Sequence, residues 1–229
     1  MIKVNGIHHI AIMAGDIKKH IEFFTDVLGC KLSAFFDMHG VPGGLHAFMH
    51  MNDHSYFSVV QLPGIDDIPV EMGVTHSGNG AGPSAAGTMQ HLSFNVDTDE
   101  DLLAIRDRIR KKGVNVIGPI DHGMCTSIYF AGPDHLTLEV AVGRGDVDQN
   151  AWVDPAVCER AGMTPEEVQR YMHPDDYAGE GGTVGQPPYD PEKPHQMYPK
   201  EVYQKMLAAP DAVITATASY AEPPVKPAA

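Results

Sequence analysis

Three side chains that can bind a metal ion lie in separate strand-like segments: His9 in GIHHIAI, His91 in TMQHLSFNV and Glu139 in HLTLEVAV. Two imidazoles and one carboxylate are the ligand set of a 2-His-1-carboxylate facial site, which leaves coordination positions open for chemistry. Glu139 carries the most weight, because a carboxylate within an apolar strand is costly to bury unless it is paired or bound to a cation. The residue types therefore predict a metal centre assembled from three strands.

Strand alternation supports each of these choices, since successive side chains point to opposite faces of a sheet. In IHHIAIM the more apolar set begins at His8 and continues with two isoleucines, so His9 is the better ligand candidate. His91 and Glu139 likewise lie opposite the apolar residues of their own segments. The chain has 13 histidines, and any one of them alone could be an ordinary exposed or hydrogen-bonded residue. Only the combination of the three residues favours a metal site.

The balance of charged residues restricts the kinds of molecule that this protein is expected to bind. The chain has 16 basic and 30 acidic residues, and neither a basic stripe nor a basic helix is visible. A nucleic acid or an anionic membrane surface is therefore not expected as a partner. No segment has the character of a secretory leader or a membrane span, so a cytoplasmic location is expected. The three cysteines lack CxxC spacing and are expected to be reduced thiols.

Residues 4–62 have the order strand, helix, then two or three strands. Asp16 is a suitable N-cap for a helix whose apolar residues recur at helical spacing, and Gly29 ends that helix. The predicted strands cover residues 6–14, 31–37, 44–51 and 55–62.

Residues 88–143 repeat that order. Thr98 is the expected cap of the second helix and Gly113 its exit. The predicted strands cover residues 89–96, 114–116, 125–130 and 136–142. This duplication predicts an α+β fold in which paired βαβββ modules form a metal-binding half-barrel.

The segment between the modules, PGIDDIPVEMGVTHSGNGAGPSAAG, is rich in Gly, Pro and Ser and contains His76. Loops of this length in a compact domain are usually functional lids or disordered linkers. The segment is therefore too long and too rich in these residues to be a simple connection between the modules.

The composition changes after Gly143, which predicts a first domain of residues 1–145 and a Pro-rich, acidic extension of residues 146–229. Two short helices are expected in the extension, one opened by Thr164-Pro165 and one at residues 200–208. The extension is interpreted as an irregular arm that wraps the first domain or a neighbouring subunit, or is partly disordered.

The segments GIHHIAIMAGDIKKHIEFFTDVLG, QHLSFNVD and YFAGPDHLTLEV resemble the vicinal oxygen chelate superfamily, which includes glyoxalases, fosfomycin-resistance transferases, bleomycin-binding proteins and extradiol dioxygenases. The resemblance covers residues 4–143 and implies that the three candidate ligands occupy the metal positions. Within the superfamily, IDHGMCTSIYFAGPDHLTLE is most similar to the extradiol pattern, through His122, Ile128, Tyr129, Pro133 and Glu139. Gly132 and His135 depart from that pattern.

The resemblance implies Fe(II) at the three ligands, with Mn(II) or another divalent ion as an alternative, and a catecholic aromatic substrate that reacts with O2. It also implies acid–base roles for His76 and His122 and a hydrogen bond from Tyr129 to a substrate oxygen. Each of these residues has an ordinary alternative role. His122 could be a turn residue, His76 an exposed residue of the loop, and Tyr129 a residue that only packs against its neighbours.

The leading hypothesis is therefore an Fe(II)-dependent extradiol-type dioxygenase. The alternative is a metal-dependent lyase, isomerase or thiol transferase of the glyoxalase kind. A four-ligand site of that kind needs a further donor in the first module, where only Gln61 lies near a strand end. A third hypothesis, a non-catalytic drug-binding protein, does not need three metal ligands. A homo-oligomer is expected, because a duplicated half-barrel with a long arm favours self-association.

Overall fold

Two four-stranded mixed sheets, one from each predicted module, form the centre of the computed structural model, which describes residues 2–226. In each sheet the first strand of the module pairs in parallel with the last, and the other neighbours are antiparallel. Both sheets are open and neither closes into a barrel. The predicted α+β class with paired βαβββ modules is confirmed.

The first module consists of β1 (His9–Met13), α1 (Ile17–Asp26), β2 (Lys31–Asp37), β3 (Leu45–Asn52) and β4 (Ser55–Gln61). The second consists of β5 (Leu92–Val96), α2 (Asp99–Lys111), β6 (Val116–Asp121), β7 (Cys125–Ala131) and β8 (Thr137–Gly143). The remaining helices are α3 (Gln149–Trp152), α4 (Pro155–Arg160), α5 (Pro165–Met172), α6 (Lys200–Ala208) and α7 (Asp211–Ala218).

Both long helices begin at the residues expected to cap them. The Asp16 carboxylate accepts a hydrogen bond from the Lys19 amide at 3.2 Å, and the Thr98 hydroxyl accepts one from the Asp101 amide at 3.1 Å. These bonds satisfy amide groups that have no partner inside the helix. The first turn of α2 is acidic and its last turn basic, which suits the helix dipole.

One hydrophobic core serves both modules. Phe24 of α1 is fully buried, with its ring centroid 4.1 Å from that of Phe57 in β4 and 6.3 Å from that of Phe94 in β5. The same core contains Leu102 of α2 and Leu138 of β8. Each sheet therefore turns one face toward the shared core. The opposite faces, which carry the polar residues, turn away from it.

Arg108 of α2 joins the two modules at the end of α1. Its guanidinium donates to the carbonyl oxygens of Thr25 and Asp26, from Nη2 at 3.0 and 3.1 Å and from Nε to Asp26 at 3.2 Å. The Thr25 carbonyl also accepts from the Gly29 amide at 3.0 Å, whereas the Asp26 carbonyl is satisfied by Arg108, as a helix-terminal acceptor without a partner inside the helix. The contact fixes the second helix against the first.

The structure differs from the sequence prediction in the second module. The strand expected at residues 114–116 is β6, which begins at Val116 and extends to Asp121. Pro119 lacks an amide hydrogen, which disfavours it in a strand except at a sheet edge or a bulge. The pairing of β6 with β7 shifts register between Ile117 and Ile120, which accommodates this proline at the sheet edge.

The described chain divides into two units, residues 5–174 and residues 2–4 with 175–226. The change of composition at residue 146 lies within the first unit, which includes α3, α4 and α5. The predicted helices at Thr164-Pro165 and at residues 200–208 are present as α5 and α6. Among residues 2–226, no helix is long and apolar enough to cross a membrane.

Candidate metal centre

Glu139 and His91 form the centre of the candidate site. Glu139 lies in the middle of β8 between Leu138 and Val140, and only 5% of its surface is exposed. His91 directly precedes β5, the strand paired with β8, and its Nε2 lies 2.9 Å from Oε2 of Glu139. A buried carboxylate needs such a partner, because its charge is otherwise unsolvated. The fold therefore places two potential metal ligands in contact.

Tyr129 and His122 extend this centre along the same sheet. Tyr129 is the register partner of Glu139 on β7, and its ring centroid lies 6.5 Å from that of His91. The Tyr129 hydroxyl and Nε2 of His122 are 2.9 Å apart. Burial, and then the nearby Glu139 carboxylate, raise the pKa of Tyr129, which keeps the phenol protonated. Four of the predicted site residues thus lie together on the outer face of the second sheet.

His9 lies on the other sheet. Its side chain is exposed on the face of β1 that turns away from the core, with Nδ1 2.9 Å from Nδ1 of His8 and its ring centroid 5.5 Å from that of Phe48. Within residues 2–226, no group of three or more His, Cys, Asp or Glu side chains is placed to hold one metal ion. The three predicted ligands therefore do not meet within a single chain.

Aromatic and imidazole side chains surround His9 on the first sheet. Phe48 lies 4.5 Å from His46 and 6.1 Å from Tyr56 between ring centroids. Nε2 of His46 is 2.6 Å from the Ser58 hydroxyl, and burial together with neighbouring imidazole charges lowers the pKa of His46. This face can stack against a flat ring, and it carries several imidazoles, including the predicted ligand His9.

His76 lies in the loop between the modules. Its Nδ1 is 2.9 Å from the Thr75 hydroxyl, and its imidazole is half-buried. The next residue, Ser77, is buried and donates to the carbonyl of Gln90 at 2.5 Å, with Thr137 of β8 3.2 Å from the same hydroxyl. The loop therefore docks beside the second sheet at Ser77, directly after His76.

Two residues of this region carried no recognisable signal in the sequence. Gln90 hydrogen-bonds Nδ1 of His91 through its Oε1. The indole of Trp152 packs over the turn that follows His122, where a Cβ added to Gly123 would come within 2.8 Å of it. A glutamine before a histidine, or a tryptophan beyond the last strand, has no spacing that indicates such a role.

A cavity lies elsewhere, among α3, α4 and α5. It measures about 550 Å³ and is lined mainly by apolar side chains, including those of Cys158, Met163 and Met172. It includes none of the predicted site residues. The predicted metal ligands lie instead on the sheet faces that turn away from the core.

Comparison with known proteins identifies the family. The model of the glyoxalase/bleomycin resistance protein/dioxygenase superfamily matches residues 6–140. Biphenyl-2,3-diol 1,2-dioxygenase 2 of Rhodococcus globerulus is 31% identical over 97 residues, which are 42% of each chain. A probable lactoylglutathione lyase of Synechocystis sp. is 29% identical over 140 residues, which are 58% of this chain and 91% of the lyase.

Among solved structures, a glyoxylase/bleomycin resistance protein/dioxygenase domain from Frankia sp. matches 62% of this chain and all of its own, with 17% identity and a TM-score of 0.49. The chain belongs to the glyoxalase/bleomycin resistance protein/dioxygenase superfamily. It spans about half the length of the dioxygenases it matches. The superfamily includes dioxygenases and lyases, and its members bind divalent metals.

The His91–Glu139 pair fits such a metal as two of the three ligands of a facial site. Neighbouring ligands that each lie about 2.1 Å from an ion are about 3 Å apart, and the observed separation of Nε2 and Oε2 is 2.9 Å. The carboxylate is buried and the imidazole supplies the nitrogen donor. A third ligand does not reach this pair from within the described chain.

Proposed function

We propose that this protein is a divalent-metal-dependent dioxygenase of the extradiol type, which cleaves a catecholic aromatic compound with O2. The observation that carries the proposal is the hydrogen-bonded His122–Tyr129 pair beside His91 and Glu139. Ring cleavage of a catechol needs a metal ion next to groups that move protons and bind substrate oxygen. On one face, His91 and Glu139 supply two of the metal ligands, and His122 and Tyr129 supply the groups for proton transfer and substrate binding.

The proposed metal site is shared between two copies of the chain. His91 and Glu139 of one copy would provide two ligands and the exposed His9 of a second copy the third. This arrangement is supported by the outward direction of both polar faces and by the exposure of His9. A facial set of this kind holds Fe(II), or Mn(II) with nearly the same ligands, and the ion supplies the redox chemistry toward O2.

The chain's own residues have separable tasks in this proposal. Nε2 of His122 accepts a proton from a catechol hydroxyl and later returns it to assist ring opening. When substrate binds, the Tyr129 hydroxyl gives up its hydrogen bond to His122 and donates one to a substrate oxygen instead. The aromatic face around Phe48 on the second copy closes against the ring and excludes water.

A metal-dependent lyase of the glyoxalase kind is the second candidate. It is favoured by the lactoylglutathione lyase match, which covers 91% of that protein, whereas the dioxygenase matches cover less than half of theirs. The same ligands would then act on an oxygenated substrate through Lewis acidity alone. A non-catalytic drug-binding protein has no need for the buried carboxylate.

Oxygen uptake separates these functions. Protein prepared anaerobically and loaded with Fe(II) should consume O2 when mixed with a catechol from a panel of substituted rings, and a coloured ring-opened product should appear. Metal uptake without oxygen consumption for every catechol would refute the dioxygenase and favour the lyase. Failure to bind any divalent ion would refute both enzymatic functions.

A further inference from the structure

The side-chain amide of Gln90 connects the second module to the loop between the modules. Its Nε2 donates to the carbonyl oxygens of Asn79 at 3.1 Å and Gly82 at 3.2 Å, both in the loop between the modules. Its Oε1 accepts a hydrogen bond from Nδ1 of His91. Both hydrogens of the amide are thus used on the loop, so the oxygen necessarily faces the histidine.

This orientation selects the tautomer of His91. An amide oxygen can only accept, so the hydrogen of the neutral imidazole must lie on Nδ1. In that neutral form Nε2 has the lone pair that a metal ion between His91 and Glu139 would take. Metal-binding histidines usually have their second nitrogen fixed in this way, which orients the ring and increases its basicity as a ligand.

The loop at the other end of the amide lies over the candidate site. A Cβ added to Gly80 would be 3.6 Å from Cε1 of Tyr129, so the backbone at Gly80 passes close to the tyrosine ring. The segment is tightly folded, since a Cβ at Gly82 would come within 2.0 Å of the Ser77 carbonyl oxygen. Ser77 anchors the start of this segment, and Gln90 holds its far end.

We propose that Gln90 is a positioning residue that couples the order of loop 78–82 to metal binding at His91; the inference rests on the metal site of the proposed function. One amide cannot hold the loop and the imidazole independently, because rotation that loses one contact misaligns the other. Ordering of the loop and occupation of Nε2 therefore stabilise each other, and this coupling acts in both directions. A bound metal ion would therefore hold the loop in the position over Tyr129 that the structure shows.

Two substitutions at Gln90 separate the contacts. Gln90→Met has a similar volume and removes both of them. Gln90→Glu keeps an acceptor for Nδ1 of His91 but has no hydrogens for the loop carbonyls. Gln204→Met, on the exposed surface of α6, is the matched control for a glutamine-to-methionine change.

The test measures Mn(II) affinity by electron paramagnetic resonance and hydrogen exchange of residues 77–90 by mass spectrometry, with and without Mn(II). In the wild type and Gln204→Met, Mn(II) should slow exchange in loop 78–82. Gln90→Met should weaken Mn(II) binding about 10–100-fold and abolish that response. Gln90→Glu should bind Mn(II) no more weakly than the wild type, while its loop exchanges rapidly in both states.

The coupling is overturned if Gln90→Met binds Mn(II) as the wild type does, or if its loop still responds to the ion. It is equally overturned if Gln90→Glu keeps a protected loop. A wild type that takes up no Mn(II) contradicts the proposed function itself, and the coupling falls with it. If the wild type takes up Mn(II) normally and one of the other outcomes occurs, only the coupling is refuted.

Discussion

Mixing two inactive variants tests whether the metal site is shared between chains. His9→Ala removes the ligand of the first sheet, and Glu139→Gln removes the carboxylate of the second with little change in volume. Each variant alone should bind no metal at the site. In a symmetric dimer with two shared sites, a mixed pair combines the intact His9 of one chain with the intact His91–Glu139 pair of the other.

The expected recovery follows from counting sites. Random pairing makes half of the dimers mixed, and each mixed dimer has one intact site of two, so metal content should return to about one quarter of the wild-type value. A site contained within one chain recovers nothing, because each chain lacks a ligand. Free Mn(II) is measured by electron paramagnetic resonance after the two variants are refolded together, and native mass spectrometry verifies the mixed dimers.

A doubly substituted chain, His9→Ala with Glu139→Gln, provides the reverse control. Paired with a wild-type chain, it leaves each shared site one ligand short, so an equal mixture retains only the sites of wild-type dimers, about one quarter. A site within one chain would instead retain about one half. Verified mixed dimers that show no recovery in the first mixture and one half in the second would refute the shared site.

Three other substitutions test different parts of the molecule. His122→Ala should keep Mn(II) affinity and lower kcat about 10²–10⁴-fold, as expected for loss of an acid–base group; loss of the metal would instead identify a ligand. Phe24→Ala should lower the free energy of unfolding, measured in urea, by about 3–5 kcal/mol, because its ring is fully buried against Phe57; a loss below about 1 kcal/mol would contradict the shared core. Burial and neighbouring imidazole charges lower the pKa of His46, so the unfolded chain takes up the proton more readily and stability falls as the pH drops below about 6.5. His46→Gln should make that fall shallower, and unchanged pH profiles of unfolding would exclude this contribution.

The helices and strands were predictable because the sequence patterns that specify them involve only neighbouring residues. Asp16 and Thr98 cap α1 and α2 as expected, and β2 has the predicted bounds of residues 31–37. The alternation that set Glu139 opposite an apolar stripe also describes β8, where Leu138 and Val140 join the core. Capping and alternation depend only on neighbours in the sequence, so one chain is enough to recognise them.

The arrangement of the two modules was not predictable in this way. Periodicity shows that His9 and Glu139 each lie opposite an apolar face, but it does not show what those faces pack against. In the structure they share one core around Phe24, which turns the two sets of ligands away from each other. The contacts of Gln90 depend on how the loop folds back, and a glutamine carries no pattern that reveals it.

Arg108 has a consequence for how this chain can change. A repeat that satisfied its own helix ends could be copied, exchanged or removed as a unit. Here the Asp26 carbonyl at the end of α1 is satisfied by the Arg108 side chain of the other repeat. One repeat therefore cannot be exchanged without affecting the other. A change in either repeat at this contact would alter the relative orientation of the two faces that carry the ligands.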